Sequence, residues 1–198
     1  MTKEDLIRGF KRQRIPEKIL KAFEKIERNN FIPKEYRAEA YKDVALPIGY
    51  GQTISQPYTI SFMLSILELR NNQKILEVGS GSGYVLALIN EISKNSELFG
   101  IERIRGLAEI SRKVLERYNG IKIIYGDGSK GLPEKAPFDR IIVSAAANEI
   151  PQKLLQQLSI GGIMVAPVRN SIVKIKKFVN ENKIEKYPGF VFVPLVGG

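Results

Sequence analysis

From Lys74 onward, short apolar runs alternate with amphipathic ones, and this alternation restricts the fold more than any other feature of the chain. KILEV (74–78), ELFGIE (97–102), IKIIYGD (121–127), FDRIIVSA (138–145) and GGIMVAPV (161–168) read as short buried strands. YVLALINEI (84–92), RGLAEISRKVLERY (105–118) and IPQKLLQQL (150–158) read as helices. Strands alternating with helices predict a parallel sheet with helices on both faces and right-handed crossovers. SIVKIKKFV (171–179) follows the fifth strand after only Arg169 and Asn170. That gap is too short for a crossover helix, so an antiparallel hairpin is expected there. KIEKYPGFVFVPL (183–195) supplies a last strand. The expected fold is α/β and doubly wound: a mostly parallel seven-stranded sheet with antiparallel C-terminal strands, preceded by N-terminal helices.

The first 70 residues read differently. Thr2 can cap a helix, with Asp5 completing a loose capping box. Pro16 suits the first turn of a second helix over 17–26, where Ile19, Leu20, Phe23 and Ile26 recur at helical spacing. Asn29 and Asn30 are expected to end it. Residues 31–56 hold prolines and glycines with little periodicity and predict mostly loop. Pro57 opens a third helix running to about Leu69. The expected organisation is residues 1–70, helices and a loop, packed on a core of residues 71–198, in one structural domain overall.

Composition excludes several chemistries. The 198 residues contain no cysteine, which removes disulfides, thiolate nucleophiles and Cys-bound zinc. They contain no histidine, the commonest general base and metal ligand. The start, MTKEDLIRGFKRQR, has no apolar signal-like core, and no apolar run approaches the ~20 residues a membrane helix needs. The expectation is a cytoplasmic protein without a membrane partner. The formal charge of +10 admits a nucleic-acid partner, but basic and acidic residues are interleaved, as in IPEKILKAFEKIERNN. A solvated surface is the simpler reading, and nucleic acid is not the expected partner.

The candidate site centres on LEVGSGSGY, residues 76–84. Gly79, Gly81 and Gly83 fall between a strand and a helix, where glycines let the backbone turn tightly and approach a ligand. The spacing is G-x-G-x-G, not the G-x-G-x-x-G of dinucleotide binders. Glu77 precedes the loop, Glu102 ends the next strand, and Asp127 closes the one after. This constellation resembles the S-adenosylmethionine-dependent methyltransferases, which have a Rossmann-like fold. The resemblance implies S-adenosyl-L-methionine as cofactor, S-adenosyl-L-homocysteine as product, and no metal. It further implies that the glycine loop holds the amino-acid end of the cofactor, Glu102 the ribose, and Asp127 with Gly128 the adenine. The cofactor set it implies is Glu77, Val78, Gly79, Ser80, Gly81, Gly83, Glu102, Arg103, Asp127 and Gly128.

The methyl acceptor must be read elsewhere. The segment after the fourth strand, VSAAANEIP, lacks the Asp/Asn-Pro-Pro-aromatic motif of amino-methylases, and cytosine C5 methylation needs a cysteine. A carboxylate acceptor fits what remains. It is ionised at neutral pH, with an unperturbed pKa of about 4, and needs no general base. GQTISQPY together with LEVGSGSGY, YGDGSKGLPEKAPFDRIIVSAAANEIP, LLQQLSIGGIMVAPV and the terminal FVPLVG is similar to the protein-L-isoaspartate O-methyltransferase family. That resemblance implies methylation of the free α-carboxylate of L-isoaspartyl residues in damaged proteins and peptides. The ester then cyclises to a succinimide and reopens partly to aspartate. It places Ser55 in the active site, with Thr53 beside it, and makes the loop within residues 1–70 a substrate loop. It implies substrate contact through Gln56, through Ser144, Ala145 and Ala146, and through the last strand at Val193. Some relatives carry a histidine where this chain has Tyr58, so a histidine-dependent contact does not carry over.

Simpler readings stand beside these. In isolation Ser55 is a turn residue. Gln52 and Gln56 could cap helix ends or line a pocket. Asp139 reads as a structural acid, and Lys174, Lys176 and Lys177 as a solvated strand edge. An RNA-associated or other small-acceptor methyltransferase is the alternative function.

Overall fold

The computed structural model describes residues 1–190. The elements run α1 (Lys3–Arg12), α2 (Glu17–Lys25), β1 (Leu46–Gly49), β2 (Gln52–Ile54) and α3 (Pro57–Ile66). There follow β3 (Lys74–Val78), α4 (Tyr84–Ile92), β4 (Glu97–Glu102), α5 (Arg105–Leu115) and β5 (Ile121–Tyr125). The chain continues through β6 (Phe138–Val143), α6 (Gln152–Gln156), β7 (Leu158–Val168), β8 (Ser171–Lys177) and β9 (Asn182–Pro188).

Seven strands form one sheet in the order β5-β4-β3-β6-β7-β8-β9. The five from β5 to β7 are mutually parallel. β8 and β9 are antiparallel additions, and β8 follows β7 through the expected hairpin. The expected fold class is therefore observed. Strand order moves outward from β3 to β5, then returns to β6 on the other side of β3. Crossovers of one hand that move in opposite directions must use opposite faces of the sheet. One face carries α1 to α5, packed with Ile75, Leu98, Ile142, Ile163 and Val165. The other carries α6 and Leu132 against Leu76, Phe99, Ile141 and Met164. The reversal beside β3 leaves a crevice at the strand carboxyl ends, the usual ligand position in such sheets.

The N-terminal helices share the first of these clusters with the sheet. α1 is fixed by the full capping box: Asp5 N–H donates to Thr2 Oγ1 at 3.2 Å, and Thr2 N–H to Asp5 Oδ2 at 3.0 Å. Four expectations need correction. The second helix stops at Lys25, because Ile26 turns extended to stay buried, and Asn29 and Asn30 lie inside a separate 3₁₀ turn, Arg28–Phe31. Residues 31–56 hold more structure than expected: Lys34–Glu39 form a 3₁₀ helix, and β1 and β2 form an antiparallel hairpin pairing Leu46 with Ile54 and Pro47 with Thr53. The third helix ends at Ile66, and Glu68 takes a positive φ of 53°. The helix over 150–158 shortens to α6, and β7 begins at Leu158.

Three acidic or basic side chains are structural. Asp139 Oδ2 accepts the Lys74 N–H at 2.8 Å, as expected of a structural acid. The lysine cluster is not a solvated edge. Lys174 Nζ meets Glu68 Oε1 at 2.6 Å, and Lys177 Nζ donates to the carbonyls of Leu155, Gln156 and Leu158. These bonds tie β8 to α3's exit and to α6.

Candidate active site

The crevice above β3, β4 and β6 opens into a cleft of about 980 Å³. On one wall stand Val78, Gly79 and Gly81, from the end of β3 and the loop after it. Glu102 and Arg103 from the end of β4, and Gly128 beyond β5, continue that wall. β2 and the turn after it add Gln52, Thr53, Ser55 and Gln56 to the lining. Ser144 and Ala145 after β6 close the floor, and Tyr58, Phe62, Tyr187 and Phe190 form an aromatic end. Ala146 lies one residue beyond this lining, and Val193 lies outside the described residues. Gln52 and Gln56 thus line the cleft; Gln56 sits at the N-cap of α3 but makes no side-chain cap bond.

The glycine loop is held from the neighbouring strand. Gly79 and Ser80 donate their N–H groups to the Ile101 carbonyl at 2.9 and 3.1 Å. Glu102 accepts the Gly81 N–H on Oε2 at 2.8 Å and the Ile104 N–H on Oε1 at 2.8 Å. Each carboxylate oxygen retains a further lone pair for a diol. Gly81 has a φ of +51°, and a Cβ there would lie 3.1 Å from Ile48 Cδ1, so bare backbone is what keeps this face open. Gly83 has another task. Its missing Cβ would meet Leu115 Cδ1 at 2.6 Å, which places the third glycine under α5 and outside the lining.

Asp127 caps the 3₁₀ turn Gly128–Lys130 by accepting the Ser129 N–H at 3.0 Å. The Ser129 side chain, ahead of that N–H bond, holds the Asp127 carboxyl below the usual range. Gly128 faces the cleft, where a Cβ would lie 2.6 Å from Val78 Cγ1.

Behind the loop a smaller cavity of about 50 Å³ lies between Thr53, Ser55, Glu77, Ser80 and Ser144. Glu77 is 1% exposed. Its Oε1 accepts the Ser144 hydroxyl at 2.7 Å, while its Oε2 and the Ser80 hydroxyl have no partner among the described residues. Burial pushes the Glu77 carboxyl up to about 8, against the Ser144 bond that favours its charge. An orphaned carboxyl oxygen, a glycine face that a side chain would fill, and a two-oxygen acid at the next strand fit a nucleoside cofactor with a polar amino-acid tail.

The family model for protein-L-isoaspartate(D-aspartate) O-methyltransferases matches residues 1–198. The chain belongs to this family. A protein-L-isoaspartate O-methyltransferase of Methanoculleus marisnigri is 44% identical over 189 residues, 91% of this chain and 84% of the relative. A solved protein-L-isoaspartate O-methyltransferase superposes with a TM-score of 0.90 at 26% identity, covering all of this chain, which spans 66% of that one. A Plasmodium falciparum structure, described as a protein-L-isoaspartate O-methyltransferase in complex with S-adenosyl-L-homocysteine, superposes with a TM-score of 0.86. It is 25% identical and covers 99% of each chain.

Within this methyltransferase, Arg28 was not legible as part of the site. It is fully buried, its Nη2 donates to the Ser55 carbonyl at 3.0 Å, and its guanidinium carbon lies 5.3 Å from the centre of the Tyr84 ring. In sequence it reads only as a charge at a helix end. The Glu77–Ser144 bond was equally hidden, since 67 residues separate the partners. Among the described residues no group of three or more His, Cys, Asp or Glu could hold a metal ion, and no helix is long and apolar enough to cross a membrane.

Proposed function

We infer that the chain transfers the methyl group of S-adenosyl-L-methionine to the free α-carboxylate of L-isoaspartyl residues in damaged proteins and peptides. The ester product cyclises to a succinimide, which begins repair. The observation that carries this reading is that one cleft is lined both by Thr53, Ser55 and Gln56 of the family-specific block and by the glycine loop and Glu102.

When bound, the cofactor supplies an electrophilic methyl group on sulfur. Glu102 and the loop backbone would hold it, and Gly128, on the turn that Asp127 caps, would shape the base end. The acceptor is already an anion, so the protein need not remove a proton. Its task is to aim one carboxylate oxygen and exclude water. Proximity and orientation of this kind contribute on the order of 7–11 kcal/mol. Ser55 and Thr53 present hydroxyls that orient a carboxylate without the tight ion pair that would quench it. Ser144 and Ala145 offer backbone to an extended peptide, a mode that accepts varied sequences.

The test offers purified protein and labelled cofactor an isoaspartyl peptide, its normal aspartyl twin, and RNA. Base-labile label on the isoaspartyl peptide alone is expected. Label on RNA, or on neither peptide, overturns the reading.

A further inference from the structure

Arg28 is an expensive residue to place where it is. Its side chain is wholly buried, and its Nε and Nη1 have no hydrogen-bond partner among the described residues. A buried charge without full compensation is destabilising by several kcal/mol in general, and a well-packed apolar side chain would avoid that cost. Burial lowers the guanidinium's affinity for its proton, and Tyr84, then the Asp43 carboxylate, oppose this. What the guanidinium does touch is specific. Nη2 donates to the Ser55 carbonyl at 3.0 Å and approaches the Val44 carbonyl at 3.5 Å. Its plane lies over Tyr84, the first residue of α4 after the glycine loop. The Tyr84 ring is fixed in turn by Phe31 at 5.2 Å and Phe23 at 6.0 Å.

Arg28 therefore spans the two halves of the cleft from behind. It reaches the backbone of Ser55 on the acceptor side and the start of α4 on the cofactor side. On the far side of the same turn, Asp43 Oδ1 accepts the Tyr58 N–H at 2.7 Å, so residues 55–58 are gripped at both ends. A charged donor makes a stronger bond to a carbonyl than a neutral one and leaves the peptide more firmly fixed. Methyl transfer needs the acceptor and the methyl carbon in line, and a displacement of about 1 Å can cost on the order of 100-fold in rate.

We propose that Arg28 is a positioning residue that sets the distance between Ser55 and the cofactor loop. This rests on the reading of the cleft as an isoaspartyl methyltransferase site. Arg28→Gln keeps a polar side chain but loses the charge and the reach. It is expected to lower kcat on an isoaspartyl peptide by roughly 10-fold, about as much as removing the Ser55 hydroxyl does. S-adenosylhomocysteine affinity by calorimetry should stay within about threefold. Arg28→Lys, which restores charge without the planar fork, should fall between Arg28→Gln and the parent. If Arg28 acts through Ser55, the loss should shrink to about twofold when Arg28→Gln is made in a Ser55→Ala background.

Hydrogen–deuterium exchange supplies a readout that does not need turnover. Arg28→Gln should speed exchange over residues 53–58 while leaving β7 and β8 at parent rates. Equal kcat losses in both backgrounds, or unchanged exchange over 53–58, would overturn the proposal. A parent protein inert on isoaspartyl peptide would instead sink the functional reading, and the exchange comparison would still decide the role of Arg28.

Discussion

Ser144 Oγ, just beyond β6, donates a 2.7 Å hydrogen bond to Glu77 Oε1 on β3. The bond links the cleft lining beyond β6 to the strand that feeds the glycine loop. It also leaves Glu77 half satisfied, since Oε2 has no partner among the described residues. A carboxyl in that position prefers to keep its proton.

The pH dependence of stability follows with a definite sign. Burial raises Glu77 from an ordinary 4.5 to about 8. Between those values the folded state holds a proton that the unfolded chain has released, so stability falls as pH rises. Its contribution is fully present below about 4.5 and is lost as pH passes through about 8. The slope is at most about 1.4 kcal/mol per pH unit. The chain has no histidine to titrate in the same window. Thermal melts of the cofactor-free protein between pH 5 and 8 should show this decline, and Glu77→Gln should flatten it. An unchanged slope in Glu77→Gln would assign the dependence to another group.

Glu102 should behave as an organiser of the cofactor side. It accepts the N–H groups of Gly81 and Ile104 with separate oxygens. Bonds to a charged acceptor are worth about 1.5–3 kcal/mol each. Glu102→Ala should weaken S-adenosylhomocysteine binding by roughly 10- to 100-fold by calorimetry. Glu102→Gln should recover less than half of that free energy, because its amide NH₂ would face one of the two N–H donors. Full recovery by glutamine would mean that only one of these bonds matters.

The succession of strands along the chain was legible because each strand from β3 to β8 repeats the same pattern of apolar run and turn signal, whereas their order in the sheet came only with the fold. The hairpin of β1 and β2 was not. Its strands are four and three residues long, and Pro47, Gly49 and Gly51 mask the alternation of buried Leu46, Ile48 and Ile54. The glycine loop announced itself, yet only Gly79 and Gly81 line the cleft, while Gly83 has a packing role that depends on α5 lying against it. Arg28 and Lys177 illustrate the remaining limit. Long basic side chains are usually solvated. Nothing local in RNNF or KIKKF shows that one will be sealed beneath Ser55 and the other spent on the carbonyls closing α6. Such roles arise from contacts across the fold.

Ser55→Ala should separate chemistry from cofactor binding. Ser55 lines the cleft together with Gly79 and Gly81, and its backbone stays tied to Arg28 when the hydroxyl is removed. Loss of one orienting hydrogen bond of roughly 1–2 kcal/mol should lower kcat on an isoaspartyl peptide by about 10-fold. S-adenosylhomocysteine affinity should stay within about threefold of the parent. Loss of cofactor binding would show that the serine belongs to the cofactor side.

Gly83→Ala tests whether the third glycine serves the ligand or the fold. Gly83 has a φ of +86°, a conformation costing an L-residue about 1–2 kcal/mol. The new Cβ would also sit 2.6 Å from Leu115 Cδ1 and 3.0 Å from Leu115 Cγ. Overpacking of this kind typically costs 1–3 kcal/mol. The variant should lose roughly 2–4 kcal/mol in denaturant unfolding. If packing is the cause, removing the opposing side chain should relieve part of it. Leu115→Ala alone should cost about 2–5 kcal/mol, and the double variant less than the sum of the two. The folded fraction of Gly83→Ala should bind S-adenosylhomocysteine within about threefold of the parent. A selective loss of cofactor affinity, with unfolding unchanged, would return Gly83 to the ligand-facing set beside Gly79 and Gly81.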